Sequence, residues 1–221
     1  MHVHLPKPLH GWRAFAGEVG IIVLGVLIAL AAQEVVQSIN DQADVRQLRS
    51  AFRAELADDR ARWEDMRAAD HCTLQRLDAL ERWAATAPAD ARLANGFRLM
   101  LWNMHSSAWD IAKTSPATAH MPLAEQLAFA DLYAAIDNWR EYLAQESSNS
   151  VDLSALLASA DQPESRRQIM LHVAWERVFV RRRTQNYPYF FTRFDALKIG
   201  SDPSHLTIAR DPRALCAPLG T

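Results

Sequence analysis

The sequence predicts an all-α protein, in which an N-terminal transmembrane helix continues into a long helix that packs in a four- to five-helix bundle. Three observations support this fold class. Ala, Leu and Arg, which have the best intrinsic helix propensities, are abundant, whereas the chain has only 7 glycines. Neither glycine nor proline occurs between Gly25 and Pro88, so one helix can continue through that stretch. Alternating clusters of β-branched residues, which would indicate strands, are almost absent.

The bulk composition indicates one ordered domain with an appendage. A length of 221 residues favours one domain, and a hydrophobic fraction of 49% is ample for its core. A charged fraction of 23% argues against disorder. The formal net charge of −2 gives no basic footprint, so we expect no nucleic-acid partner.

The apolar stretch "RAFAGEVGIIVLGVLIALAAQEVV" predicts a transmembrane helix over residues 12–36. No charged side chain occurs from Val19 to Ala32, and counting back to Ala14 gives about 19 residues, near the ~20 needed to cross a bilayer. Trp12 would then lie at headgroup depth, where indoles are favoured. Glu18 lies close enough to that interface to be hydrated. The lipid bilayer is therefore the first expected partner.

Two other interpretations of this stretch stay open. A cleavable signal peptide would use Lys7 and Arg13 as its basic region and Ala29-Leu30-Ala31 as its cleavage site. A soluble core helix would be equally apolar. Glu18 at the start of the apolar run, and the helical pattern that follows it, favour an uncleaved anchor.

The charges that flank the apolar stretch predict its orientation. Lys7 and Arg13 precede it without any acid, whereas Glu34, Asp41 and Asp44 follow it. The positive-inside rule then places a short N-terminus, residues 1–11, in the cytoplasm. Residues 37–200 form the exported helical bundle, and residues 201–221 form an irregular tail.

One face of the predicted anchor could hold a second copy of the chain. Glu18, Gly25, Ala29 and Ala32 recur at spacings of seven, four and three residues. Small residues let two helices approach closely in lipid, and a carboxyl group can hydrogen-bond across the contact. This pattern suggests a homodimer, although small residues are also common in anchors that stay single.

The segment "GEVGIIVLGVLIAL" resembles the opening of a large family of uncharacterised bacterial single-anchor membrane proteins. The matching residues are Glu18 and residues 25–30, which read Gly-Val-Leu-Ile-Ala-Leu. The later stretch "SAWDIAKTSPATAHMPLAEQLAFADLYAAIDNW" is similar in outline to the helical region of that family. The resemblance implies a single-pass protein of the bacterial inner membrane with a periplasmic helical domain, and it implies no activity.

Prolines and polar clusters set the predicted helix boundaries beyond the first long helix. A second helix is expected over residues 91–105, and Pro122 opens a third over Leu123 to Gln145. The segment "ESSNSVD" is expected to be a turn before a short helix at residues 153–159. The last helix should start at Pro163 and end near Asn186, because Pro188 would stop it.

Two cysteines, Cys72 and Cys216, are both exported in the predicted topology. An even cysteine count in an oxidising compartment permits a disulfide that pins the tail to the first long helix. Two unpaired thiols are the alternative.

The strongest local charge bias lies in "RVFVRRRTQNYPYFFTRF". The candidate contacts for anionic lipid or an acidic partner are Arg177, Arg181, Arg182, Arg183 and Arg193. The alternative is a solvated helix C-terminus, where arginines complement the helix dipole. The six tryptophans that follow Trp12 are spread over every predicted helix and are expected to build a shared core. A ligand-binding aromatic box is the alternative.

Motifs for catalysis, metals and cofactors are lacking. The sequence has no Gly-x-Ser-x-Gly, Cys-x-x-Cys, phosphate loop or Glu-x-x-His, so we expect no catalytic residue, no metal and no cofactor. The expected role is therefore membrane-anchored binding or scaffolding, with an unknown membrane or periplasmic protein as partner. A periplasmic sensory or regulatory domain that binds a small ligand and signals through a partner is the alternative.

Overall fold

The fold is all-α, as predicted. The computed structural model describes residues 11–88, 97, 99, 101–202, 204 and 216, and this part of the chain contains no strand. The helices are α1 (Gly11–Thr86), α2 (Ser107–Ala112), a 3-10 helix (Pro116–His120), α3 (Leu123–Ala158) and α4 (Pro163–Ala196). The predicted N-terminus, residues 1–11, and tail, residues 201–221, lie mostly outside the described residues.

Two compact units divide the chain, Met1–Gln47 and Leu48–Thr221. In the first unit, α1 is solvent-exposed at every residue from 15 to 40. One stretch of α1 is long and apolar enough to cross a membrane, and none of it is buried. The soluble core helix, one of the three interpretations of this stretch, therefore has no support among the described residues.

The second unit is built around an aromatic core between α1, α3 and α4. Trp63 of α1 stacks on Phe190 of α4 with ring centroids 4.2 Å apart, and Trp139 of α3 lies 5.3 Å from Trp63. These tryptophans are buried, whereas Trp175 is 58% exposed, so the expectation of a core shared by all tryptophans is wrong at Trp175. Large aromatic rings at this junction supply much of the apolar area that the unit buries.

Helix α3 continues through the segment that the sequence predicts as a turn. It ends at Ala158 instead of Gln145, so the short helix at 153–159 is part of α3. Ser and Asn lower helix propensity by only tenths of a kcal/mol and are readily overridden. Asn149 bonds to His172 and Glu176 on α4, and these tertiary contacts hold the segment helical.

Helix α4 also continues past its predicted end, through Pro188 to Ala196. A proline inside a helix removes one backbone hydrogen bond and commonly kinks or ends the helix. Here the turns around it bury Tyr187, Phe190 and Phe194 in the core, which offsets that loss. Burial of these aromatic side chains therefore outweighs the tendency of Pro188 to end the helix.

The predicted second helix at 91–105 is wrong over residues 101–105, which are not helical, while 89–96 lie outside the described residues. The backbone here bonds to side chains of α1. The carbonyl of Asn103 accepts from Arg62 Nη1 at 2.6 Å, and the N–H of His105 donates to Asp59 at 3.0 Å. These hydrogen bonds take the place of the backbone hydrogen bonds that a helix would form.

Candidate functional site

A buried charge network, consisting of Asp70, Glu146, Arg183 and Tyr187, joins α1, α3 and α4. Arg183 is 1% exposed. Its Nε lies 3.1 Å from Asp70 Oδ1, and its Nη1 donates to the Glu146 carboxylate. The hydroxyl of Tyr187 donates to Asp70 Oδ2 at 2.6 Å. One guanidinium therefore connects a carboxylate on each of two other helices.

Burial and pairing oppose each other in this network. Burial raises the pKa of Glu146, while the Arg183 guanidinium acts to lower it. The two carboxylates raise the pKa of Arg183 above its usual value although burial acts to lower it, so Arg183 stays charged. A buried pair of this kind adds little net stability but is costly to break, by about 3–5 kcal/mol when one partner is removed.

A further buried carboxylate, Glu176, lies beside this network, and no cation among the described residues bonds to it. Its Oε1 accepts from Asn149 Nδ2 at 2.6 Å, and Oε2 has no hydrogen-bond partner in the described part of the chain. Asn149 Oδ1 in turn lies 2.7 Å from His172 Nδ1. Burial raises the pKa of Glu176 to about 8, against the hydrogen bond from Asn149. At neutral pH this carboxyl group is therefore mostly protonated.

A cleft between α1 and α4 lies directly over the charge network. Its volume is about 590 Å³, within the range of small-molecule sites. It is lined by Arg67, Asp70, His71, Leu74, Thr184, Tyr187, Pro188, Phe191, Thr192 and Asp195. We call it the α1–α4 cleft. Most of its exposed surface is apolar, and Asp70 and Tyr187 of the charge network form part of its lining.

The charged groups of the cleft differ in how they are paired. Asp70 accepts from Arg183, and Asp195 Oδ1 lies 2.6 Å from Arg60 Nη1. Arg67 has its guanidinium 4.5 Å over the Phe191 ring and makes no ion pair among the described residues.

Asp58, Asp59 and His105 form a separate polar cluster that sequence reasoning missed. Their ligand-capable atoms lie within 4.8 Å of one another. Arg62 bonds to Asp58 at 2.9 Å, and the backbone N–H of His105 bonds to Asp59, so the cluster holds residues 101–106 on α1. Burial raises the pKa of Asp59 to about 8. Since His105 lies 46 residues from Asp59, no sequence spacing marks the cluster.

The arginines predicted to contact lipid or a partner lie in different environments in the structure. Arg183 is wrong as a lipid or partner contact, because it is buried with Asp70 and Glu146. Arg177 bonds to Asp78 at 2.6 Å and Arg193 to Asp131 at 2.7 Å, so both are engaged within the domain.

The two remaining arginines stay on the surface. Arg181 and Arg182 are exposed, and the Arg182 guanidinium lies 4.8 Å from the Tyr142 ring. The predicted basic surface is therefore reduced to these two residues.

Cys72 and Cys216 are joined in a disulfide, with Cα atoms 4.9 Å apart. The sequence allowed either a disulfide or two unpaired thiols, and the structure contains the disulfide. Its 144-residue separation gives a stabilisation of roughly 4–5 kcal/mol in the chain-entropy model.

The predicted helix-contact face of the anchor is open. Glu18, Gly25, Ala29 and Ala32 are all exposed, and a Cβ added at Gly25 would meet nothing within 4 Å. The homodimer stays a prediction.

Sequence reasoning also missed the charge network, although a signal exists. Asp70 occupies the same helical stripe as buried Met66 and Leu77, and Arg183 the same stripe as buried Val180 and Phe190. A charged residue inside an apolar stripe must be paired when the stripe is buried. The pairing itself joins residues 113 positions apart, which no local pattern reveals.

No family model, curated protein or solved structure matches the chain. The resemblance carried by Glu18 and residues 25–30 therefore stays a prediction.

Proposed function

We propose that the chain is a membrane-anchored binding protein whose helical domain takes a small ligand in the α1–α4 cleft. The observation that carries this proposal is the cleft itself: a mostly apolar site of about 590 Å³ above a fixed polar network. Sites of this size and composition, with a few convergent polar groups, are typical of small-molecule binding. Because the network below it spans three helices, the cleft is largely preformed, which lowers the cost of ligand ordering.

The anchor is residues 12–36, in the bacterial inner membrane, with the N-terminus cytoplasmic and the bundle periplasmic. An exposed apolar stretch in α1, flanking charges that follow the positive-inside rule and the Cys72–Cys216 bridge support this placement. Carbonate extraction of membranes tests the anchor, and release into the supernatant would contradict it. Alkylation before and after reduction, followed by mass analysis, tests the bridge in the cell.

A blocking variant tests the cleft. Thr184→Trp places a large ring at an exposed position of the lining, and Gln185→Trp is the matched control, exposed on the same helix but outside the lining. With the full chain in nanodiscs, calorimetric titration of benzamide should show binding that Thr184→Trp weakens by at least about tenfold. Equal weakening by both variants would contradict the cleft, and empty nanodiscs give the background.

A protein partner remains the second candidate, because α4 presents an apolar ridge. Leu171, Trp175 and Val178 lie on one face and are 61%, 58% and 51% exposed. Exposed aromatic and aliphatic residues grouped in this way are frequent at protein interfaces. Trp175→Ser should abolish recovery of a stoichiometric partner from solubilised membranes, whereas Thr184→Trp should not.

Pairing of two anchors through Glu18, Gly25, Ala29 and Ala32 is also proposed. The spacing of small residues along one open face supports it. Single cysteines placed along residues 19–32 should crosslink with helical periodicity, and a reaction without periodicity would contradict the dimer.

A further inference from the structure

We propose that the α1–α4 cleft selects an organic monocarboxylate with an apolar body, its carboxylate bound by Arg67. This inference rests on the proposed function of the cleft and adds the chemical class of its ligand.

The charges of the lining favour an anion at one position only. Asp70 is paired with Arg183 and accepts a hydrogen bond from Tyr187, and Asp195 is paired with Arg60. Among the described residues, Arg67 is the one lining cation, and it has no ion-pair partner there. A bound carboxylate would complete its pairing.

The position of the Arg67 guanidinium is already restricted. It lies 4.5 Å from the Phe191 ring centroid, and stacking of this kind leaves the N–H edges of the planar group free to bond. Two parallel N–H groups match the two oxygens of a carboxylate. Because the aromatic contact limits rotation of the side chain, less entropy is lost when the ligand binds.

A second donor lies one turn along α1. His71 follows Arg67 by four residues and lines the same cleft, as expected for helical neighbours. Its Nε2 lies 3.0 Å from the amide nitrogen of Gln75. Because an amide nitrogen only donates, Nε2 is the acceptor and Nδ1 carries the ring proton. In this arrangement His71 keeps a ring N–H from which a carboxylate oxygen can accept.

The remaining lining selects the rest of the ligand. Leu74, Pro188 and Phe191 provide apolar surface for a hydrocarbon or aromatic body. Asp70 and Asp195 place two carboxylates in the same lining, which repel a second negative group on the ligand. A dicarboxylate or a phosphate dianion is therefore disfavoured.

Benzoate and benzamide separate these requirements, since they share a ring and differ in charge. With the full chain in nanodiscs, calorimetry should give a Kd for benzoate about tenfold or more below that for benzamide. Arg67→Gln should raise the benzoate Kd to that of benzamide. Arg53→Gln, an exposed arginine of α1 outside the cleft, is the matched control and should change neither.

The outcomes distinguish the two proposals. Equal affinity for benzoate and benzamide, both lost in Thr184→Trp, overturns the carboxylate and leaves the cleft as a binding site. Benzoate binding that survives Arg67→Gln also overturns it. Absence of binding by both probes, or binding unaffected by Thr184→Trp, overturns the cleft and the carboxylate together. Unchanged circular dichroism and thermal unfolding of Arg67→Gln show that the variant is folded.

Discussion

The Arg183 network and the adjoining Glu176 region bury carboxylates in the same helical domain by different means. Glu146 and Asp70 keep a buried guanidinium between them, so one cation offsets part of the negative charge of two carboxylates. Glu176 is equally buried but, among the described residues, bonds only to the neutral amide of Asn149, and burial raises its pKa to about 8. The first region therefore relies on an ion pair and the second on a retained proton.

This difference determines how the stability of each region responds to substitution and to pH. Removing the cation from the Arg183 network leaves two charged groups buried without compensation, which is costly at any pH where they are ionised. The Glu176 region contains no such pair, so its stability follows the pH instead. Substitutions can therefore separate the two means of burial.

Arg183→Met should have the largest effect. The side chain fits a similar volume, but Asp70 and Glu146 are left without their guanidinium. We expect the free energy of unfolding to fall by about 3–5 kcal/mol at pH 7. Chemical denaturation of the full chain in detergent micelles, followed by near-ultraviolet circular dichroism, measures it.

The triple variant Asp70→Asn, Glu146→Gln and Arg183→Met is the control for that result. The uncharged amides avoid a buried unpaired charge but need hydrogen-bond partners of their own, at a cost of about 1–3 kcal/mol each if unpaired. Stability should therefore lie between that of Arg183→Met and that of the natural chain. A triple variant less stable than Arg183→Met would show that shape, rather than charge, dominates this network.

Glu176→Gln should have the next largest effect, and its sign depends on pH. The folded state holds the Glu176 proton up to about pH 8, whereas the unfolded chain releases it near 4.5. Between these values the folded state binds more protons, so this contribution to stability is complete below pH 4.5 and is lost as the pH rises towards 8. Because glutamine cannot titrate, Glu176→Gln does not lose this stability as the pH rises.

Relative to the natural chain, the free energy of unfolding of Glu176→Gln should therefore rise by on the order of 2 kcal/mol between pH 5 and pH 8. Denaturation midpoints collected at pH 5, 6.5 and 8 measure the gain. His172, Asn149, Glu146 and Arg183 surround Glu176, so the control is His172→Gln, which tests whether the imidazole carries the pH dependence. An unchanged pH slope in Glu176→Gln would contradict the retained proton.

Asp59→Asn should also become more stable relative to the natural chain as the pH rises, but with a smaller net gain in the free energy of unfolding than Glu176→Gln. The pKa of Asp59 is also raised to about 8 by burial, so its contribution is lost between about pH 4 and pH 8. Asn keeps only one oxygen for the N–H of His105, which bonds to both oxygens of Asp59. The lost hydrogen bond lowers stability at every pH, so the net gain at pH 8 should be only on the order of 1 kcal/mol, by the same denaturation series. Loss of stability at both pH values would show that the hydrogen bond dominates.

The sequence predicts the class of the fold because its signals are local. The absence of glycine and proline from residue 26 to 87 predicts the continuous helix α1, and Pro163 predicts the start of α4. The helix ends were predicted less well, since Asn149 and Pro188 lie in turns that tertiary contacts hold helical. Those contacts depend on residues far along the chain.

The candidate site was less predictable for the same reason. Arg183 carries a charge inside an apolar stripe, which signals a buried pair, but neither Asp70 nor Glu146 is marked as its partner by spacing. The cleft is lined by residues of both α1 and α4, and no residue pattern along the sequence encodes it. The sequence therefore identified the arginine-rich segment and gave it a surface role that only Arg181 and Arg182 can have.

Arg181→Gln should have the smallest effect and completes the comparison. Arg181 lies two residues before Arg183 in the same run of arginines, yet it is exposed and makes no ion pair within the described residues. Exposed substitutions of this kind change stability by less than about 0.5 kcal/mol. The same denaturation series should therefore place Arg181→Gln with the natural chain at every pH, while Arg183→Met differs from it by several kcal/mol. A large loss in Arg181→Gln would contradict this contrast. Arg181 lies in the middle of α4, far from its end at Ala196, so the helix dipole would not explain such a loss.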